Sequence, residues 1–228
     1  MSREHKKNKR FTLAGVELEA RSSGAMWWPE RQVLVVSDLH LGKSERIARL
    51  GGAMLPPYEI KDTLARLDAE VAALDPRAVV CLGDSFDDRA VAEGLAEDAV
   101  LWLSRLMAGR RWIWIEGNHD PGPVDLGGTH LGELSEPPLI FRHIAKPGTS
   151  GEVSGHYHPK AVLHARGRQV SRPCFLYDSD RVILPAFGTY TGGLRSTNPA
   201  LSGLMRPEAL AILTGPVPAV IPMPGRCP

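Results

Sequence analysis

Aspartate, asparagine and histidine recur in this sequence at one kind of place. Asp38 with His40, Asp84, Asn118 with His119 and Asp120, His143, and His156 with His158 each come closely after a short apolar run. Carboxylate, amide oxygen and imidazole together suit borderline divalent cations such as Mn²⁺, Fe²⁺ or Zn²⁺. Cysteine is missing from these motifs, which argues against a structural zinc site. Asp38 and His40 stand two residues apart, as do His156 and His158, so at a strand end both members of each pair can point to one side. The donors suffice for two cations, with Asp84 as the natural bridge. Two ions about 3.5–4 Å apart can activate a water and clamp a phosphoryl oxygen for in-line attack. His119 has little reason to accompany a full set of ligands unless chemistry uses it.

Something must bring these segments together. Val33–Val36, Ala78–Leu82 and Trp112–Ile115 are short apolar runs, the first two rich in β-branched residues, as in strands buried on both faces. Apolar residues at helical spacing mark a helix from Ile60 to Leu74, closed by Asp75-Pro76, and a second from Val91 to Met107. Strand, helix, strand, helix, strand predicts βαβ units and a largely parallel sheet, with ligands outside the carboxyl ends of its strands. Ahead of it, Phe11–Arg21 alternates apolar and polar residues around an Ala14-Gly15 turn. The second half holds strand candidates at Leu139–Phe141, Glu152–Ser154, Ala161–Ala165, Cys174–Tyr177, Arg181–Leu184 and Ala219–Ile221, with few helix signals. It predicts a second sheet, mixed or antiparallel. Glycines at 83, 117 and 155 precede Asp84, Asn118 and His156, where a sharp turn or close approach is expected.

With 228 residues, 43% of them hydrophobic and 23% charged, the chain can bury one large core and is treated as a single domain. A basic tail is expected over residues 1–10, one domain over 11–222 and a short tail over 223–228. The net charge of +1 gives no bulk attraction for nucleic acid, though it permits a local basic groove. Cys81, Cys174 and Cys227 form no disulfide framework, no apolar run approaches the ~20 residues of a membrane span, and no apolar segment comes after the basic start. A cytoplasmic location is expected.

The ordered set DxH, GD, GNHD, H and GHxH resembles the calcineurin-like metallophosphoesterase superfamily across residues 33–158. The resemblance implies an α/β fold, a two-sheet β-sandwich flanked by helices. It implies that Asp38, His40, Asp84 and His158 hold one metal ion, and that Asp84, Asn118, His143 and His156 hold the other. His119 is then catalytic and oriented by Asp120. Within the superfamily, Leu55-Pro56-Pro57-Tyr58, Gly83-Asp84-Ser85-Phe86 and the stretch Leu184–Leu194 are similar to the ligase-associated DNA damage response endonucleases, extending the likeness to about residues 11–222. That group implies Mn²⁺-dependent cleavage of DNA in bacterial repair, alongside an ATP-dependent DNA ligase, a helicase and an exonuclease. One position departs: Gly42 stands where the group is expected to carry Glu.

Blander roles compete elsewhere. Trp112 and Trp114 alternate with isoleucines and are expected in the core, while Trp27 and Trp28 are weaker candidates for base stacking. His5, His130 and His164 are expected at the surface. Asp87-Asp88 is expected to cap a loop. Arg142 and Lys160 are candidates for phosphate contact, and Arg46, Arg49 and Arg89 are expected to be solvated. The glycine-rich stretch after residue 185 is expected to border the cleft. Three functions fit: a repair nuclease, a phosphodiesterase or phosphatase for a small molecule, and a metal-holding scaffold.

Overall fold

The computed structural model describes residues 8–52, 55–56, 58–120, 122, 125–165 and 168–223. Of the tails expected over 1–10 and 223–228, residues 1–7 and 224–228, with His5 and Cys227, lie outside them, as does the side chain of His164. The strands are β1 (Lys9–Leu13), β2 (Val16–Ala20), β3 (Met26–Trp28), β4 (Val33–Val36), β5 (Ala78–Cys81), β6 (Arg111–Ile115), β7 (Thr129–Leu131), β8 (Glu133–Glu136), β9 (Leu139–Arg142), β10 (Glu152–Ser154), β11 (Lys160–Ala165), β12 (Arg168–Tyr177), β13 (Arg181–Ile183), β14 (Leu210–Leu213) and β15 (Val220–Pro222). The helices are α1 (Lys43–Arg49), α2 (Glu59–Leu74), α3 (Arg89–Glu93), α4 (Glu97–Met107) and α5 (Pro199–Ser202).

These strands form two mixed sheets. The first has seven strands in the order β1-β2-β3-β4-β5-β6-β7. The second has eight, in the order β15-β14-β12-β13-β10-β9-β8, with β11 paired to β12. The expected βαβ strands β4, β5 and β6 are parallel, and β7 joins them in parallel. The sheet is not largely parallel, however, because β1, β2 and β3 extend it antiparallel from β4. The β1–β2 hairpin turns at Ala14 and Gly15, both at positive φ (48° and 80°), which matches the twist of the strands they join. Strand β1 begins at Lys9, two residues ahead of the expected start, because Lys9 pairs with Ala20 and Arg10 with Glu19. At the other end the buried Met223 donates its N–H to Ala209 O, so the packed chain extends one residue past 222.

Alternation along the strands sets the layers. Val35, Val80 and Ile113 point into a core shared with Phe141, Val153, Phe175 and Val182 of the second sheet. Leu34, Val36, Val79, Cys81, Trp112 and Trp114 point the other way, onto Leu64 and Leu67 of α2 and Leu103 and Leu106 of α4. A third core covers the outer face of the second sheet, where Cys174, Leu176 and Leu213 meet Leu201 and Met205. Trp112 and Trp114 are therefore core residues, as expected. Trp27 and Trp28 are too, being buried in β3, so they offer no stacking surface. A buried tryptophan removes roughly 150–250 Å² from water, and its loss to alanine costs about 3–5 kcal/mol.

Where one helix is expected from Val91 to Met107, two are found. Helix α3 ends at Gly94, and α4 starts after Ala96. Helix α2 ends as expected, with Asp75 in the left-handed region at φ 43°. At Gly42 the backbone has φ 79°, and an added Cβ would lie 2.0 Å from Val91 Cγ1. Glycine there is required by the local backbone and by the valine that fills the space.

Candidate metal centre

The carboxyl ends of β4, β5, β6, β9 and β10 meet at one crevice between the sheets. Each strand runs out one to three residues before its first donor. Asp38 and His40 come after β4, Asp84 after β5, Asn118 after β6, His143 after β9, and His156 and His158 after β10. Neighbouring loops are laced together there: Asp38 N–H donates to Gly83 O, His40 N–H to Asp84 O, and Gly155 N–H to His143 O.

Two sets of donors converge. In the first, His158 Nε2 is 3.1 Å from Asp38 Oδ1 and 3.4 Å from His40 Nε2. In the second, His143 Nε2 is 3.0 Å from Asn118 Oδ1, 3.1 Å from His156 Nδ1 and 3.4 Å from Asp84 Oδ2. Asp84 Oδ2 also lies 3.9 Å from His40 Nε2, so it faces both sets. Ligand atoms about 2.1 Å from one cation stand about 3.0–3.4 Å apart in tetrahedral or octahedral shells, and these separations fit.

The hydrogen bonding fits as well. His143 Nδ1 donates to Leu82 O at 2.8 Å, which turns Nε2 toward Asn118 and His156. His40 Nδ1 lies 2.8 Å from Asp87 Oδ1, an ion-pair contact, and its Nε2 faces His158. A partner on the outer nitrogen fixes tautomer and ring orientation in metal-binding imidazoles. Asp38 Oδ1 is buried and receives no hydrogen bond. Close-set imidazole nitrogens and an orphaned carboxylate oxygen are what a cation would resolve.

Electrostatics at the carboxylates point the same way, while at His143 burial is outweighed by Asp84 and Asp38, which raise the imidazole above its ordinary range. Burial works to raise the Asp38 carboxyl, but His158, His143 and Ser37 hold it below the ordinary carboxylate range. Asp84 is likewise opposed by burial and held low by His143, the His119 N–H and His40. Burial pulls His156 down, assisted by the charge of His143, which favours the neutral, ligating form.

Much of this geometry is enforced by the backbone. Asp38, His40, Asp84, His156 and His158 all have positive φ, between 45° and 70°. Such conformations cost an L-residue about 1–3 kcal/mol and persist only where surrounding structure over-determines them. Close approach sets the glycines. A Cβ on Gly117 would lie 2.2 Å from Asp84 N, and one on Gly155 would lie 1.7 Å from Ser37 Oγ.

His119 and Asp120 lie at the same crevice, and Asp120 is engaged differently from the orienting role expected of it. His119 donates its N–H to Asp84 Oδ1 at 2.9 Å, and its Nδ1 lies 2.9 Å from the backbone oxygen of Asp87. Its ring meets that of His40 edge-on, 5.2 Å between centroids. Asp120 does not orient that ring. Its buried carboxylate accepts N–H groups from Asp84, Ser85, Phe86 and Gly117, at 2.7–3.3 Å. It therefore ties the β6 loop to the turn that carries Asp84.

Asp87 corrects another expectation. Asp88 caps α3 by accepting Val91 N–H at 2.8 Å, but Asp87 caps nothing. Its buried carboxylate bridges His40, Lys43 and Arg46, while its carbonyl holds His119. Burial works to raise this carboxyl, and His40, Lys43 and Arg46 together hold it at about 2. The signal was its place three residues after Asp84. Ser37 was also missed; its hydroxyl donates to Asp38 Oδ2 at 2.5 Å.

Arg142 is no phosphate ligand. It is buried between Glu133 at 2.8 Å and Glu152 at 3.2 Å. Arg46 and Arg49 pair with Asp87 and Asp88 rather than facing only water. His130 is half-buried against Trp114, with ring centroids 6.3 Å apart. Lys160 donates to Thr191 O at 3.3 Å, beside the crevice. The stretch after residue 185 does border it. Phe187 and Gly188 donate their N–H groups to Ser37 O and Asp38 O.

Known proteins agree with this geometry. The family model described as calcineurin-like phosphoesterase matches residues 31–179. Among solved structures, the chain is similar to Pseudomonas putida nuclease MPE at 30% identity, over 93% of this chain and 100% of that one, with a TM-score of 0.73. No curated protein matches the sequence. The matched span takes in the strands that carry every donor named above, and on that ground the chain belongs to the calcineurin-like phosphoesterase family, whose members are metal-dependent phosphoester hydrolases.

Proposed function

We propose that this protein is a Mn²⁺-dependent phosphodiesterase that cuts within DNA strands, of the ligase-associated repair endonuclease group. The observation that carries the reading is the pair of donor sets, Asp38 with His40 and His158 and Asp84 with His143 and His156, with Asp84 Oδ2 3.9 Å from His40 Nε2 and His119 fixed beside them. The likeness to a nuclease supports the choice of a nucleic-acid substrate.

Asp38, His40, Asp84 and His158 would hold one cation, and Asp84, Asn118, His143 and His156 the other. When bound, such a pair supplies Lewis-acid charge for phosphoryl oxygens and a nucleophile at neutral pH. The protein's own part is positioning. Asp87 and the Leu82 carbonyl keep His40 and His143 in the tautomers that present Nε2 to the crevice. The Asp87 carbonyl engages Nδ1 of His119, so Nε2 is the nitrogen able to meet substrate, there to stabilise the transition state or to protonate the leaving oxygen. Tethering its N–H to Asp84 fixes that imidazole relative to the metal ligands. A bacterial cytoplasmic setting and action beside an ATP-dependent DNA ligase, a helicase and an exonuclease belong to the same reading.

A covalently closed single-stranded DNA circle tests it, since a circle has no ends. With Mn²⁺ the protein should linearise the circle and hydrolyse an aryl phosphodiester. His119→Ala should lose about 10²–10⁴-fold in rate while still binding two ions. An intact circle alongside rapid hydrolysis of the small diester would move the assignment to a small-molecule phosphoester.

A further inference from the structure

Two tyrosines stand beside the crevice in positions that suit tyrosine poorly. Tyr58 occupies the N-cap of α2 and makes no side-chain cap bond. Ser, Thr, Asp or Asn there would be worth about 1 kcal/mol to the helix. Its side chain is instead turned out, with Tyr58 52% exposed. Tyr190 sits at φ 61°, a backbone region that a bulky side chain rarely adopts. Their rings lie 5.5 Å apart, inclined at 55°.

The loop that carries Tyr190 is clamped to the metal-ligand loops on both sides. A Cβ on Gly188 would lie 2.0 Å from Leu39 O, and one on Gly193 would lie 2.1 Å from His158 O. Tyr190 is two residues from one anchor and three from the other, so its backbone stays within roughly 7–11 Å of each. Further bonds hold the loop. Thr189 donates to Asp62 at 2.5 Å, and the Tyr190 hydroxyl donates to Pro56 O at 3.2 Å. Cations flank it. Arg66, itself paired with Asp62 at 3.2 Å, reaches Thr189 at 3.0 Å, and Lys160 reaches Thr191 at 3.3 Å, one residue to each side of Tyr190.

We infer that Tyr58 and Tyr190 form a stacking platform for a nucleobase of a single strand whose backbone passes through the metal crevice. The inference rests on the DNA reading above. A tyrosine pair with one ring exposed and the other half-buried offers a face to any base, while Lys160 is placed for an adjacent phosphate. Duplex DNA keeps its base faces stacked and would gain nothing from this platform, so the surface selects unpaired strands.

The test compares an ordinary single-stranded oligodeoxynucleotide with a strand of equal length built of abasic residues. Wild type should prefer the base-bearing strand by roughly tenfold in kcat/KM, mainly through KM. Tyr58→Ala and Tyr190→Ala should each erase most of that preference, and Tyr58→Phe and Tyr190→Trp should restore it. Variants that keep the wild-type preference overturn the platform. So does an equal loss on both strands, which marks a displaced loop, or a wild type indifferent to bases. A wild type that cleaves neither strand yet hydrolyses an aryl phosphodiester removes the DNA reading itself, and the platform with it.

Discussion

Two groups of buried charge lie toward opposite ends of the same parallel strands, and they are neutralised differently. Toward the amino ends of β10 and β13, Glu152 stands directly across from Arg181. Its carboxylate accepts from Arg181 Nη1 at 3.0 Å, from Arg142 Nη1 at 3.2 Å and from Lys146 N–H at 2.9 Å. Burial pushes the Glu152 carboxyl up, against the pull of Lys146 N–H and the two guanidiniums. Both carboxylate oxygens are nevertheless engaged by donors of the protein itself, and in this cluster only Arg142 Nε and Arg181 Nε lack a hydrogen-bond partner. At the carboxyl ends, Asp38 and Asp84 face a cluster of close-set imidazole nitrogens, and Asp38 Oδ1 has no hydrogen-bond partner. That second cluster is finished only by added positive charge. Buried carboxylates at strand ends thus divide by whether guanidiniums or clustered imidazoles face them. The first arrangement holds a fold; the second is suited to a cation.

The largest expected effect comes from Asp84→Ala, which removes the side chain facing both donor sets. Phosphodiester hydrolysis should fall by about 10⁴-fold or more, roughly 5.5 kcal/mol of transition-state stabilisation. Bound metal, measured by elemental analysis, should fall below two ions per chain. The thermal stabilisation that Mn²⁺ confers on wild type, about 2.7 kcal/mol at a hundred times Kd, should shrink with it. In chelator its melting temperature should drop far less than that of Glu152→Ala. Equal drops would erase the distinction between the clusters.

Glu152→Ala comes next and should act on stability. Removing one partner leaves buried guanidinium charge uncompensated, at a cost of about 3–5 kcal/mol. For a domain of this size that lowers the melting midpoint by roughly 10 °C. Metal stoichiometry in the remaining folded protein should stay at two, and a fall to one would tie the clusters together. The smallest effect is that of Asp87→Asn, which weakens the group behind His40 without touching a donor. Metal affinity should drop about 10–100-fold by titration, with the fold retained. An unchanged affinity would place Asp87 with Glu152 as a structural carboxylate.

Much of the site was legible in the sequence because each donor comes after a run that only a buried strand explains. Val33–Val36 and Ala78–Cys81 have no polar face, so they must lie inside a sheet, and the donors beyond them must emerge at its end. Other features escaped for want of local signal. The antiparallel half of the first sheet depends on β3 pairing with β4, and Met26–Trp28 is too short to declare itself. Strand β14 hides in an unremarkable apolar run between loops. The jobs of Asp87 and Asp120 are set by groups far off along the chain, namely the ring of His40 and the backbone of the Asp84 turn. Residue type gives a carboxylate's charge but not its partner. Arg142 shows the same limit from the other side, since an arginine beside a ligand histidine is spoken for by glutamates that sequence spacing does not reveal.

The left-handed backbone at Asp38, His40, Asp84, His156 and His158 has a consequence for how this centre comes apart. Each of these residues would relax toward ordinary right-handed or extended conformations if the strand pairing behind it loosened, and each relaxation would swing a donor away. Grip on the cations is therefore a reporter of sheet integrity. On gentle warming the protein should shed its ions while its circular dichroism is still that of the native fold, the inorganic part of the molecule leaving before the polypeptide lets go.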